Sequence, residues 1–179
     1  MSQVKVPSAE MLLQEHALFT QPVNIEELAE RLAIGVKYEP LDDGFSAFLL
    51  IKDGNATAFV NSEHHPNRRR FSLAHEIGHF VLHHKKGTRD HIFLDKNLSF
   101  YTRKDQPSSS NTNPAMEKEA NVFAAQLLMP EKLLKKYITK HDLDITDEFD
   151  ISRLAIAFGV SEQALQIRLN VLNLAVPNF

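Results

Sequence analysis

The sequence predicts an α+β protein in which a small antiparallel sheet of three strands packs against a long helix, with a mostly helical remainder. Three observations support this: short strand-like segments cluster between residues 36 and 61, helical periodicity dominates on both sides of them, and 43% of the 179 residues are apolar. That apolar content is enough for one real core. We expect a main domain over residues 1–140 and a helical segment over 141–179 packed on it.

Two helices are predicted ahead of three strands. The first spans residues 8–17, where apolar residues form a partial stripe. The second begins at Asn24, a capping residue with a glutamate three positions later, and ends before Gly35. The strands are expected at residues 36–39, 45–51 and 57–61. Between the last two, Asp53-Gly54-Asn55 is typical of a hairpin turn.

Helical patterns dominate the rest of the chain. The long helix is expected over residues 68–84, and a connection of about thirty residues follows it, with one strand near 91–94. Further helices are predicted at 116–129, stopped by Pro130, and at 131–138. Residues 151–174 have a helix-turn-helix outline, with the turn at Phe158-Gly159-Val160-Ser161.

Composition excludes several functional classes. The formal charge of −3, with acidic and basic residues well mixed, gives no overall attraction to nucleic acid or to an anionic membrane. The chain has no cysteine, so it forms neither a disulfide framework nor a thiolate metal site. It shows no signal-peptide pattern and no apolar run long enough to span a membrane. We therefore expect a cytoplasmic protein.

The long helix carries the pattern His75-Glu76-Ile77-Gly78-His79. Two residues four apart lie on one helical face, so both imidazoles can reach one ion. Glu76 projects about 100° around the helix, close enough to accept a proton from a water that the ion activates. This is the H-E-x-x-H arrangement of zinc peptidases, and it predicts a zincin-like domain with Zn²⁺ as cofactor and Glu76 as catalytic base.

A catalytic zinc of this type needs a third protein ligand. On the next strongly predicted helix, Glu117 falls about 60° from the middle of the apolar face and Glu119 about 95°, which favours Glu117 and leaves Glu119 open. Ala120, one turn further on, is small and leaves room for the ion and for the helix that carries His75. Asn121 lies on the same side and is expected to orient a histidine ligand.

His83 extends the row of histidines on the long helix. The helical rise places it about 12 Å from His75 along the axis, too far to share one ion. We expect it to lie around the site, to face substrate or to be exposed. Leu82 also stands where the H-E-x-x-H-x-x-G-x-x-H pattern requires glycine. The site is therefore predicted to use two histidines and a glutamate.

Two long segments resemble the ImmA/IrrE family of zinc metallopeptidases: residues 67–79, which contain the H-E-x-x-H pattern, and residues 117–130, which read EKEANVFAAQLLMP. The similarity extends over residues 22–32, the 44–61 hairpin and the tail, so it covers most of the chain. It implies that His75 and His79 are zinc ligands, Glu76 the general base and Glu117 the third ligand. It also implies a regulatory protease whose substrate is a helix-turn-helix transcriptional repressor.

Substrate is expected to add as a strand to a sheet edge, as zincins commonly bind it, and Ala58-Phe59-Val60 is the candidate edge. The group that stabilises the oxyanion is left open among five side chains: His64, His65, His83, Tyr101 and Tyr137. The run Arg68-Arg69-Arg70 is interpreted as a solvated face or helix-start feature, because charge runs usually are.

Two alternative functions compete with proteolysis. One is a zinc-containing protein that binds and sequesters a repressor or toxin without cutting it. The other is a DNA-binding regulator, suggested by the helix-turn-helix outline. It is disfavoured because only Arg153 and Arg168 are basic between Asp150 and Leu174, whereas reading DNA requires several phosphate contacts. Strong nucleic-acid binding and membrane association are therefore not expected.

Overall fold

The computed structural model describes residues 7–42, 44–83 and 113–174, together with the main chain of 91–96. Within these residues the elements follow the order α1 (Ala9–Glu15), α2 (Ile25–Arg31), β1 (Ile34–Glu39), β2 (Phe45–Lys52), β3 (Asn55–Asn61), α3 (Pro66–His83), β4 (His91–Lys96), α4 (Pro114–Leu128), α5 (Glu131–His141), α6 (Glu148–Phe158) and α7 (Glu162–Val171). Every helix and strand predicted from the sequence is present, with bounds that differ by a few residues.

Side-chain caps explain where several helices begin. Ser8 Oγ accepts the Met11 amide at 3.2 Å and starts α1. Asn24 Oδ1 accepts the Glu27 amide at 3.1 Å, while the Asn24 amide group donates back to the Glu27 carboxylate at 3.2 Å. These bonds satisfy amide groups that have no partner inside the helix. The predicted start of α2 at Asn24 is thereby confirmed.

The sheet is mixed and has four strands, in the order β1-β3-β2-β4. β2 and β3 form the predicted antiparallel hairpin, turning through Asp53 and Gly54, which both have positive φ angles, of 50° and 77°. Such angles at both central residues give a hairpin turn whose twist matches that of the strands. β4 adds antiparallel to the other side of β2.

The prediction of an antiparallel three-stranded sheet is wrong in two respects. β4 is a fourth strand, and β1 pairs parallel with β3, in a register running from Ile34 opposite Ala56 to Glu39 opposite Asn61. After β1 the chain forms β2 two strand positions away, and β3 then fills the position between them. β3 is consequently an interior strand, and β1 and β4 are the two outer strands of the described sheet.

The core lies between the sheet and the helices. α3 packs on β2 and β3, contacting β2 more extensively, and it packs along α4 most extensively of all. One buried apolar cluster joins the sheet to α3 and α4 and continues into the C-terminal helices, including Leu49, Ile77, Leu127, Phe158 and Leu165. Because α3 and α4 both belong to this one cluster, apolar packing fixes their positions relative to the sheet.

The two C-terminal helices are joined as the sequence predicts. Gly159 ends α6 in the left-handed conformation, with φ 62°, and Ser161 Oγ accepts the Ala164 amide at 3.2 Å to start α7. A helix-turn-helix role for this pair stays a prediction. Among the described helices, none is both long and apolar enough to cross a membrane.

Candidate metal centre

α3 and α4 cross at very close range, at Gly78 and Ala120. A Cβ built on Gly78 would lie 3.0 Å from the Ala120 carbonyl oxygen and 3.1 Å from its Cα. Only two small residues let the helix backbones approach this closely. The contact lies between His75 and His79 in the sequence of α3 and one turn beyond Glu117 on α4, so it brings these side chains together.

His75, His79 and Glu117 converge on one point. The two Nε2 atoms are 2.9 Å apart, and the Glu117 carboxylate oxygens lie 3.2 Å from His75 Nε2 and 3.3 Å from His79 Nε2. Each of the three residues can offer one ligand atom to a shared ion. The structure thus brings together the three side chains named from the sequence, and Glu117, not Glu119, is the glutamate that approaches both histidines. Their role as metal ligands stays a prediction.

The donor set fits a small divalent cation. Bonds of about 2.0–2.1 Å to a tetrahedral ion place its ligand atoms about 3.3 Å apart, close to the separations observed here. Two imidazole nitrogens and a carboxylate oxygen leave a fourth position for water or substrate, as in catalytic zinc sites. The same donors also accept other transition metals.

The electrostatics of the trio suit metal binding. Burial acts to raise the pKa of Glu117, but the imidazoles of His75 and His79, which lie against its carboxylate, outweigh burial and lower that pKa to about 2. Burial lowers the pKa of His79, although Glu117 opposes the shift. Near pH 7 the two pKa shifts give an anionic carboxylate and a neutral imidazole, the forms that bind cations.

Asn121 contacts the back of His75. Its Oδ1 lies 3.0 Å from His75 Nδ1. An amide oxygen only accepts hydrogen bonds, so this contact places the ring proton on Nδ1 and makes Nε2 the nitrogen that would bind a metal. Asn121 thus contacts a histidine, and its role in orienting a metal ligand stays a prediction.

Glu76 lies next to His75 on α3 and is completely buried, as are both histidines to within 1% of their surface. The Glu117 side chain keeps 22% of its surface exposed. Glu117 is therefore the member of the trio that is most exposed to solvent.

His83 and Glu119 form a neighbouring polar pair. His83 Nε2 lies 3.3 Å from the Met116 carbonyl oxygen and 3.7 Å from the Glu119 carboxylate, and its ring is centred 5.5 Å from that of His79. Its side chain is only 8% exposed, which excludes the exposed alternative. By its contact with Met116, His83 touches the first turn of α4, immediately before Glu117.

The candidate substrate edge Ala58-Phe59-Val60 is wrong as an edge. These residues lie in the middle of β3, which is hydrogen-bonded to β1 on one side and to β2 on the other. Their main-chain groups are therefore already used, and no strand can add there. The error follows from the unforeseen parallel pairing of β1. Of the open oxyanion candidates, Tyr101 lies outside the described residues, and Tyr137 packs against His141 and Phe158.

The interpretation of the arginine run as a solvated face is wrong for Arg70. Its Nη2 donates to the Val23 carbonyl at 2.9 Å and its Nε to the Gly159 carbonyl at 3.2 Å. The sequence does contain a signal that Arg70 lies on the buried face of α3. Arg70 stands three, four and seven positions before Leu73, Ala74 and Ile77, which are all buried. The sequence predicts a close approach of the two helices at Ala120, but it does not single out Gly78 as the residue opposite.

Most of the chain matches one known protein family. The family model Peptidase_M78, described as the IrrE N-terminal-like domain, matches residues 29–170. The chain belongs to this family. The match includes both helices that carry His75, His79 and Glu117, and it runs across the boundary at residue 140 expected from the sequence. Membership of Peptidase_M78 indicates a metallopeptidase and confirms the ImmA/IrrE resemblance.

A relative of this Peptidase_M78 chain is "Uncharacterized immunity region protein 2" of Bacillus phage phi105. The two are 26% identical over 145 residues, which cover 81% of this chain and 78% of the phage protein. The similarity thus extends over most of both chains.

Proposed function

We propose that the protein is a zinc-dependent endopeptidase in which His75, His79 and Glu117 hold the ion and Glu76 is the general base. The convergence of the three side chains at 2.9–3.3 Å, beside a buried glutamate, is the observation that carries the proposal. Membership of a metallopeptidase family supports it independently.

The chemistry divides between the ion and the protein's own side chains. When bound, Zn²⁺ supplies Lewis acidity toward water and toward a peptide carbonyl. The Glu76 carboxylate accepts the proton that the attacking water loses and later delivers it to the leaving amine. Asn121 keeps His75 in the tautomer that presents Nε2. The buried walls of α3 exclude bulk water from the reacting groups.

The outer edge of β4 is the best position for an extended substrate. Among the described strands, β4 and β1 are the outer two, and α3, which carries the site, contacts β2 more extensively than β3. β4 lies next to β2, whereas β1 is beyond β3, so β4 is the edge on the side of the active-site helix. A substrate strand adding there would pair its main chain with His91–Lys96.

The proposed substrate is a helix-turn-helix transcriptional repressor. The resemblance to ImmA/IrrE peptidases implies this class, and the relative named as a phage immunity-region protein is consistent with it. Cleavage would release the repressed genes. Zinc as the metal and a cytoplasmic location belong to the same proposal.

A DNA-binding function is less well supported. Of the two basic residues in the C-terminal helix pair, Arg153 is paired with Asp150 at 2.8 Å, and Arg168 is 8% exposed and bonded to a main-chain carbonyl. Arg168 is therefore not available to contact phosphate, which supplies most of the affinity for nucleic acid, and Arg153 alone is too few for a DNA-reading surface. Sequestration of a repressor or toxin without cleavage remains the principal rival.

The decisive experiment compares wild type with Glu76→Gln, each loaded with zinc and incubated with candidate helix-turn-helix repressors. We expect fragments of defined mass from wild type only, because glutamine cannot take up the proton. Both proteins should bind zinc equally, which is the control for an intact site. Equal relief of repression by the two proteins, without fragments, would instead establish sequestration.

A further inference from the structure

Two arginines outside the metal centre bind main-chain carbonyls where helices end. Arg70, on α3, donates to Gly159, the residue that ends α6, and to Val23, just before α2. Arg168, on α7, donates from Nε to the carbonyl of Met129, which ends α4, at 3.1 Å. The C-terminal helix pair is thus bonded both to α3, which carries His75 and His79, and to the end of α4, which carries Glu117.

These contacts are built into the interior. Arg168 is 8% exposed, and a Cβ built on Gly159 would lie 3.0 Å from Arg70 Nε, so the turn between α6 and α7 closes directly on that guanidinium. Burying a guanidinium is costly, and an apolar side chain would avoid that cost. What arginine adds is a rigid planar donor that fixes the direction and distance of its partners.

The position of the two contacts matters because α3 and α4 touch through the small residues Gly78 and Ala120. Such a contact fixes how close the helices are, but resists rotation about the contact point less well. By helical rise, Arg70 is about 12 Å from Gly78 along α3, and Met129 is about 13 Å from Ala120 along α4. The hydrogen bonds of both arginines therefore act far from the contact point, where they oppose rotation most effectively.

Small rotations are enough to spoil the site. Glu117 is about 4.5 Å along α4 from Ala120, so a tilt of about 5° would move its backbone by about 0.4 Å. Metal-ligand distances tolerate only about 0.2 Å. A restraint at the far ends of α3 and α4 therefore acts directly on the ligand geometry.

We propose that Arg70 and Arg168 are positioning residues that lock the C-terminal helix pair across α3 and α4 and so hold Glu117 in reach of His75 and His79. The helix pair α6–α7 then helps to fix the geometry of the metal centre. This inference rests on the proposed function in taking those three residues as the metal ligands.

The test uses the full chain with Arg70→Met, Arg168→Met and the double variant. Arg153→Met is the matched control, because Arg153 lies on α6 with its side chain 46% exposed. The Zn²⁺ dissociation constant is measured by competition with a chelator at a temperature where circular dichroism shows each protein folded. Unfolding by urea of the metal-free proteins is measured in parallel.

We expect zinc binding to weaken by about twofold to thirtyfold in the Arg70 and Arg168 variants, most in the double variant, and to stay unchanged in the control. Lysine at either position keeps one donor and should restore part of the affinity. Reduced stability with unchanged zinc affinity would overturn the proposal, because it would leave the arginines a purely structural role.

If a methionine variant does not fold, Arg70→Lys and Arg168→Lys decide by the same measurement: weakened zinc binding supports the proposal and wild-type affinity contradicts it. Failure of the proposed function gives a different result. In that case wild type itself does not bind zinc at His75, His79 and Glu117, or binds it without cutting any repressor.

Discussion

The carbonyl oxygen of Ala120 lies 3.0 Å from the point that a Cβ on Gly78 would occupy. A methyl group fits between the two backbones only if one of them gives way by a few tenths of an ångström, because a contact of 3.0 Å is tighter than most Cβ atoms make. The separation of α3 and α4, and with it the reach of Glu117 to His75 and His79, depends on the missing methyl group.

Gly78→Ala is therefore expected to weaken zinc binding by about an order of magnitude, the scale of loss when ligand orientation is disturbed. Stability should change less, because overpacking costs about 1–3 kcal/mol while alanine regains about 1 kcal/mol in helix propensity. Chelator competition and urea unfolding measure the two effects. Gly35→Ala, where the nearest atom would be 3.4 Å away, is the control and should leave zinc affinity unchanged.

Glu117 and Glu119 provide a matched pair for the third ligand. Glu117→Gln keeps the shape of the side chain but loses the charge that faces both imidazoles, so zinc affinity should fall by more than the tenfold to about a hundredfold typical of a lost surrounding contact. Glu119→Gln should have little effect, because its side chain is 63% exposed and lies 3.7 Å from His83. Isothermal titration with Zn²⁺ measures both. Equal losses would mean that Glu117 is not a ligand.

Asn121 offers a test of histidine orientation. Asn121→Ala removes the acceptor for His75 Nδ1 and should weaken zinc binding by about tenfold to a hundredfold, with a parallel loss of peptidase activity. Asn121→Asp keeps an acceptor oxygen at that position and should recover most of the affinity. If the aspartate variant is as weak as the alanine variant, orientation of His75 is not the role of Asn121.

Tyr38 predicts a dependence of stability on high pH. Burial, together with a 2.9 Å hydrogen bond from its phenol to Glu26, raises the pKa of Tyr38 from 10.0 to about 12. A group whose pKa is higher in the folded than in the unfolded state stabilises the fold below the unfolded pKa and loses that contribution above it. We expect the free energy of unfolding to fall between pH 10 and about 12 through this residue.

The measurement is urea unfolding of wild type and Tyr38→Phe across that pH range. The phenylalanine variant should show a shallower decline, and Glu26→Gln, which removes the partner carboxylate, should lie between the two. Parallel curves for wild type and Tyr38→Phe would show that Tyr38 titrates alike in the folded and unfolded chains.

Local signals explain what the sequence could predict. Caps such as Asn24, the Asp53-Gly54 turn and helical periodicity are each written within a few neighbouring residues, and all three located their elements. The proximity of His75, His79 and Glu117 was also predictable, because each helix face is defined locally and only the pairing of the two faces had to be inferred. Glu117 lies about 35° closer than Glu119 to the middle of the apolar face, and this difference favours Glu117.

Long-range pairing explains what the sequence could not predict. Nothing near β1 indicates that it will lie beside β3 instead of β2, because parallel pairing is decided by the packing of the whole sheet. The partners of Arg70 and Arg168 are carbonyls, which any residue supplies, so no side-chain pattern marks them. Only the position of each arginine on an apolar stripe hinted at burial.

The parallel pairing of β1 with β3 bears on how the chain folds. β2 and β3 are joined by a two-residue turn and can pair within microseconds, whereas Ile34 must find Ala56, 22 positions later in the chain, on an edge that exists only once β3 is formed. The sheet should therefore assemble from its centre outward. The helix that bears His75 and His79 rests on that central pair, so its support is complete before either flanking strand has docked.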